Sequence, residues 1–193
     1  MKKLIVVCLG LFAIPCASAN ASLAPEVDLR AKPVLTIRAN SAGIQNLGGF
    51  HPIRNPTVGA AVKAFGRPSS RQPRYGGEGC KVSWRRIGLQ MTFAYYGGGG
   101  KRAACQANRG IAKSGSIGGP RTGRWITSRG LQIGDSREEL ERRHPSAVEW
   151  EGDYWLAIGY TPIGEGSSYP VLAATLRGEA VSGFEVLMSP GYD

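Results

Sequence analysis

The chain has 193 residues, 42% of them hydrophobic, enough for one ordinary domain or for two small units sharing a core. Its formal net charge of +10 draws it to anionic surfaces in a salt-dependent way. Two histidines without ligand spacing, and two cysteines outside the first nineteen residues, are too few for a structural zinc site.

The amino terminus sets the compartment. Lys2 and Lys3 precede an apolar run from Leu4 to Ile14, and Ala17-Ser18-Ala19 follows. A basic start, a short greasy middle and an A-x-A exit are the parts of a secretory signal peptide, here cleaved after Ala19. The apolar run is too short to span a bilayer, and no later run is long enough for a membrane helix. The alternatives are an uncleaved anchor and a lipoprotein at Cys16; Ala13-Ile14-Pro15 is a poor lipobox. The expected location is therefore extracellular or periplasmic, with residues 20–32 as a flexible N-terminal segment. Cys8 and Cys16 leave with the leader. Cys80 and Cys105 stay, and in an oxidising compartment they are expected to pair, buried free thiols being the alternative.

The rest of the chain predicts an α+β fold of two related units, each a short helix packed on antiparallel strands. Unit 1 covers 33–110 and unit 2 covers 124–193, joined by a Gly/Ser-rich linker at 111–123. Val34 to Ile37 is β-branched and leads to Ser41-Ala42-Gly43-Ile44-Gln45. A helix follows, with Asn55 as cap, Pro56 in the first turn and Gly66 as the left-handed stop. Val58, Ala61, Val62 and Phe65 form its apolar stripe. Cys80, Val82 and Trp84 then alternate with polar residues, as do Leu89, Met91, Phe93 and Tyr95, with a turn at Arg85 to Gly88. Gly97 to Gly100 is too flexible for helix or strand.

The second half opens alike: Trp125 to Thr127 leads to Ser128-Arg129-Gly130-Leu131-Gln132, the same S-x-G-apolar-Q pattern. A helix runs from Asp135, capped in a box with Glu138, to a stop before Pro145. Glu138 to Arg142 and Glu139 to Arg143 are i,i+4 pairs. Tyr154 to Ile158, Val171 to Leu176 and Val181 to Met188 read as strands, the last two joined at Gly178-Glu179.

This order, given twice, resembles the tandem repeats of the β-lactamase inhibitor protein and the related small domain of the outer-membrane assembly lipoprotein BamE. The likeness rests on Phe65-Gly66-Arg67-Pro68, similar to that family's Leu-Gly-x-Pro, followed by strands carrying Trp84 or Trp155. The second helix departs from it, ending in His144-Pro145 without the glycine. The resemblance implies an exported, non-catalytic protein-binding module, with no contact residue carried over.

No G-x-S-x-G, S-x-x-K or H-E-x-x-H appears, so no catalytic residue, metal ligand or cofactor is assigned. His51 and His144 read as surface or capping residues. Glu149, Glu151 and Asp153 beside Trp150 and Trp155 could serve an extracellular hydrolase; the segment from Trp150 to Trp155 suits binding better than catalysis, and packing of a hairpin core is the plainer alternative to both. Positions 29–134 hold eighteen Lys/Arg and one acid, Glu78; positions 135–193 hold four Arg and eleven acids. The front is near +17 and the back near −7. The two charges could neutralise each other, or the basic side could bind an anionic wall or matrix polymer, nucleic acid being a less suitable partner for an exported chain. Arg85, Arg86, Lys101 and Arg102, with Arg109 and Lys113, would form one patch if the disulfide draws them together; a scattered solvated surface is the alternative. The leading expectation is an extracellular or envelope protein as partner, through this patch or through Trp150 and Trp155; an anionic polymer is the alternative.

Overall fold

Alternating apolar and polar residues dominate the chain, and strands dominate the fold. A computed structural model describes residues 34–97, 100–119, 124–160 and 168–188. The signal peptide, its cleavage site and the 20–32 segment lie outside these residues. The strands are β1 (Val34–Asn40), β2 (Gly43–Leu47), β3 (Ser70–Arg74), β4 (Gly79–Trp84), β5 (Leu89–Ala94), β6 (Ile111–Gly118), β7 (Arg124–Thr127), β8 (Val148–Trp150), β9 (Asp153–Tyr160), β10 (Ser168–Arg177) and β11 (Ala180–Leu187). The helices are α1 (Val58–Phe65) and α2 (Arg137–Arg143). The α+β expectation holds, weighted toward strands.

Eight strands form one antiparallel sheet in the order β3-β4-β5-β6-β11-β10-β9-β8. A smaller sheet, β2-β1-β7, joins β1 to β7 in parallel and packs over the large one. Between the layers lies a single core. Phe65 is its hub in the first half, 5.3 Å from the Trp84 ring and 6.3 Å from the Trp125 ring. The two indoles also satisfy their polar edges, Trp84 Nε1 donating to Gly66 O at 2.9 Å and Trp125 Nε1 to Ile87 O at 2.7 Å. Buried aromatics with bonded N–H groups give packing without an unpaired donor.

Both helices start one or two residues later than expected. Thr57, not Asn55, caps α1 by accepting from Ala60 N, while Asn55 accepts from the Thr57 hydroxyl. Ser136, not Asp135, caps α2 by accepting from Glu139 N. Asp135 instead accepts from Gln132 N at 2.9 Å, holding the loop before the helix. Side-chain competition explains the shift: Asx residues just before a hydroxyl cap bond local groups and leave the cap to Ser or Thr. Glu139 pairs with both Arg142 and Arg143, so the expected Glu138–Arg142 pair is replaced by an i,i+3 one.

The expected linker at 111–123 is overturned in its first part. Ile111–Gly118 is β6, a central strand with Ala112 and Ile117 buried. Gly115 answers a packing demand, not a need for flexibility. A Cβ on Gly115 would stand 3.0 Å from Gln90 O and 3.1 Å from Val186 Cγ2. Residues 120–123 lie outside the described set.

The two halves meet at the β6–β11 pair, and their registers correspond. Adding 83 to a β5 residue and 69 to a β6 residue converts Leu89↔Ile117 into Leu172↔Val186, and Met91↔Gly115 into Ala174↔Phe184. The β-bulge between Thr92 and Phe93 reappears between Thr175 and Leu176. The same offset of 69 turns Ile111, bridged to the α1 cap Thr57, into Ala180, bridged to the α2 cap Ser136. It also turns Ser116 into Glu185, and these two residues pair with each other. They mark the midpoint of the sheet.

Candidate functional site

Strand alternation divides the large sheet into a core face and an open face. One row of open-face residues crosses all eight strands: Ser70, Ser83, Gln90, Ser116, Glu185, Ala173, Trp155 and Val148 are successive register partners. The adjacent core row runs Val82, Met91, Gly115, Val186, Leu172 and Ala157. The open face is thus hydroxyl- and amide-rich over its first half and gains an acid and an indole over its second. A cleft of about 640 Å³ lies along it, lined by Gln72, Lys81, Arg85, Gln90, Ser116 and Glu185 among others. Glu185 is held above the usual carboxylate range, first by partial desolvation and then by the negative charge of Asp153.

Trp150 and Trp155 stand together at the β8 margin of this face. Their ring centroids are 5.7 Å apart, and Trp150 is 56% exposed. The pairing explains the contact: Trp155 lies opposite Val148 and Trp150 opposite Asp153, so all four project to one side. The three nearby acids do not converge. Glu149 lies with Tyr154 on the core side and accepts from its hydroxyl at 3.0 Å. Asp153 lies on the open side, and Glu151 occupies the turn with φ of 52°. The paired-carboxylate arrangement considered from sequence is therefore not formed by this trio.

Cys80 and Cys105 form a disulfide, with Cα atoms 5.1 Å apart. It does not gather the expected basic patch. Arg85 and Arg86 occupy the turn beyond Trp84, at the far end of the β4–β5 hairpin. Lys101 packs its backbone against Gly77, at the near end; a Cβ on Gly77 would come within 2.6 Å of the Lys101 carbonyl carbon. Five residues of strand separate Cys80 from Arg85, about 16 Å at ~3.3 Å per residue. Arg109 and Lys113 belong to the disulfide end, over the rings of Tyr95 and Tyr96 at 5.6 and 5.3 Å. The cross-link brings Arg102 close to Arg71 of β3, a residue that sequence reading missed. Only strand pairing, invisible in spacing alone, could have placed it.

The histidines differ in their surroundings. His51 is exposed and bonds Gln45 O at 3.1 Å and the Asn46 side chain at 3.3 Å. His144 caps α2 as expected, but it is 5% exposed, so its reading as a surface residue is corrected. Its Nε2 is 3.2 Å from the Thr127 hydroxyl, and its Nδ1 is buried without a partner among the described residues. Burial, then the charges of Arg129 and Arg143, lowers its pKa to about 4. The imidazole is neutral at pH 7.

Among the described residues, ion pairing is confined to the second half. The ion pairs among the described residues are Arg137–Glu179, Arg142–Glu139 and Arg143–Glu139. No described Lys or Arg of the basic first half pairs with an acid. Among the described residues no group of three or more His, Cys, Asp or Glu could hold a metal, and no helix is long and apolar enough to cross a membrane. No family model, curated protein or solved structure matches the chain.

Proposed function

We propose that this chain is an exported, non-catalytic binding module that engages an extracellular or envelope protein through the open face of its eight-stranded sheet. One observation carries the reading: an open-face row that crosses all eight strands, polar from Ser70 through Glu185 and apolar at Ala173, Trp155 and Val148, where Trp155 meets the exposed Trp150. Hydroxyls and amides offer bonds at little desolvation cost, and a tryptophan pair supplies a contact anchor of the kind that dominates protein interfaces. The leader and the disulfide support export. The tandem-repeat reading belongs here as well. Matching registers, a matching bulge and matching cap bridges are what a duplicated strand-helix-strand unit would produce.

The experiment is capture of partners from the native envelope and medium, with wild type beside Ser116→Arg and Trp150→Ala/Trp155→Ala. The same protein should be retained by wild type in moderate salt and lost by both variants. If the variants keep it, or if retention vanishes wherever salt is raised, the open face is not the contact surface.

A second reading, binding to an anionic wall or matrix polymer, is favoured by a separate observation. The described basic residues of the first half have no acidic partner among the described residues, which supports a charge available to a polyanion.

A further inference from the structure

The geometry points to an oxyanion site at the disulfide end of the sheet, taking a phosphate or sulfate group between Arg71 and Arg102. This deepens the polymer reading and rests on it.

The site is built by strand register. Pro73 of β3 lies opposite Cys80, and Arg71 lies opposite Val82, so both stand on the core side of the sheet at its β3 edge. There the core layer gives way to the 3₁₀ turn Ala103–Cys105, which the Cys80–Cys105 bond fastens to β4. Between strand and turn lies a cleft of about 530 Å³, lined by Arg71, Pro73, Arg102, Cys105 and Gln106. Two arginines and a glutamine are among its lining residues, and no acid is among the described ones. Neither guanidinium makes an ion pair or a hydrogen bond among the described residues.

The chemistry selects the ligand. Planar guanidinium forks bind oxyanions bidentately, and two of them converging favour a group with three or four equivalent oxygens over a single carboxylate. Pro73 contributes no N–H at this edge, so an added β-strand would meet a gap in its hydrogen bonds. A peptide strand is thus a poorer occupant than a compact anion. The disulfide fastens the turn that follows Arg102 to β4, beside the strand that carries Arg71.

The test uses the disulfide-bonded chain and two kinds of probe. Dextran sulfate carries the group on a polymer; inorganic sulfate and phosphate carry it free. Arg71→Ala/Arg102→Ala should weaken dextran sulfate binding about tenfold or more. Arg85→Ala/Arg86→Ala, at the opposite end, should weaken it far less. Arg102→Lys should restore only part of the loss, since a point charge replaces a fork. Inorganic sulfate or phosphate should displace the polymer better than chloride of equal ionic strength. Equal potency of chloride, or unchanged binding in the Arg71/Arg102 variant, overturns the site. If polymer binding instead depends on Arg85 and Arg86, this cleft is wrong while the polymer reading stands. If the wild type ignores dextran sulfate even at low salt, both fall together.

Discussion

His144 shows how one residue type takes its role from its surroundings. The α1 counterpart of its position is Phe65, the hub of the aromatic cluster, one residue before the helix stop at Gly66. In α2 the place goes to an imidazole that must stay neutral to stay buried. The sign of the pH effect follows from its lowered pKa. Stability is complete above the unfolded value near 6.5 and falls as pH drops from there toward about 4, because the unfolded chain takes up the proton first. The loss from this group is about 3 kcal/mol at most. Urea unfolding at stepped pH should show it, and His144→Leu should flatten the slope in that window. An unaltered slope would mean another group carries it. Glu139 acts lower: its pKa of about 2, set by bonds to Arg142 and then Arg143, gives stability above 4.5 that is lost as pH falls through 2. The two windows are therefore separable.

At the level of elements, the disulfide is the clearest local device. Its cysteines are 25 residues apart, and closing such a loop stabilises by roughly 3 kcal/mol in the chain-entropy model. Cys80 is fully buried against Phe93 in the β4–β5 register, so the bond also places the 3₁₀ turn on the sheet. Cys80→Ser/Cys105→Ser should lower unfolding free energy by about that amount in a denaturant titration. A change below about 1 kcal/mol would mean that the turn docks without the bond. This pairing was legible from export logic and two remaining cysteines. The apolar alternation of β4 and β5 was legible too, because period two survives without knowing the partner strand. The caps were misplaced by one or two residues because Asn, Asp, Ser and Thr all offer the same oxygen. Strand β6 was hidden for a stronger reason: its small residues lie where neighbouring side chains need room, and nothing local marks that need.

For the whole molecule, charge is the property that binding must reckon with. A front stretch near +17 against a back near −7 survives folding largely unneutralised in the described first half. Affinity for a polyanion should therefore fall steeply between about 50 and 200 mM salt, as counterion release requires, whereas a protein partner on the polar open face should be held with a shallow dependence. Measuring both slopes on one preparation separates the two modes. A steep slope for the captured protein would transfer that partner to the basic side.

The residue order alone carried the cysteine pair, the helices, most strands and the lopsided charge, since each depends on near neighbours or on simple counting. Tertiary structure decided everything that depends on two distant strands being side by side. It made β6 a central strand, set Ser116 against Glu185, parted Arg85 from Lys101 and lined one cleft with Arg71 and Arg102. A strand carries its own alternation, but its partner and register are settled only when the whole sheet closes over one core.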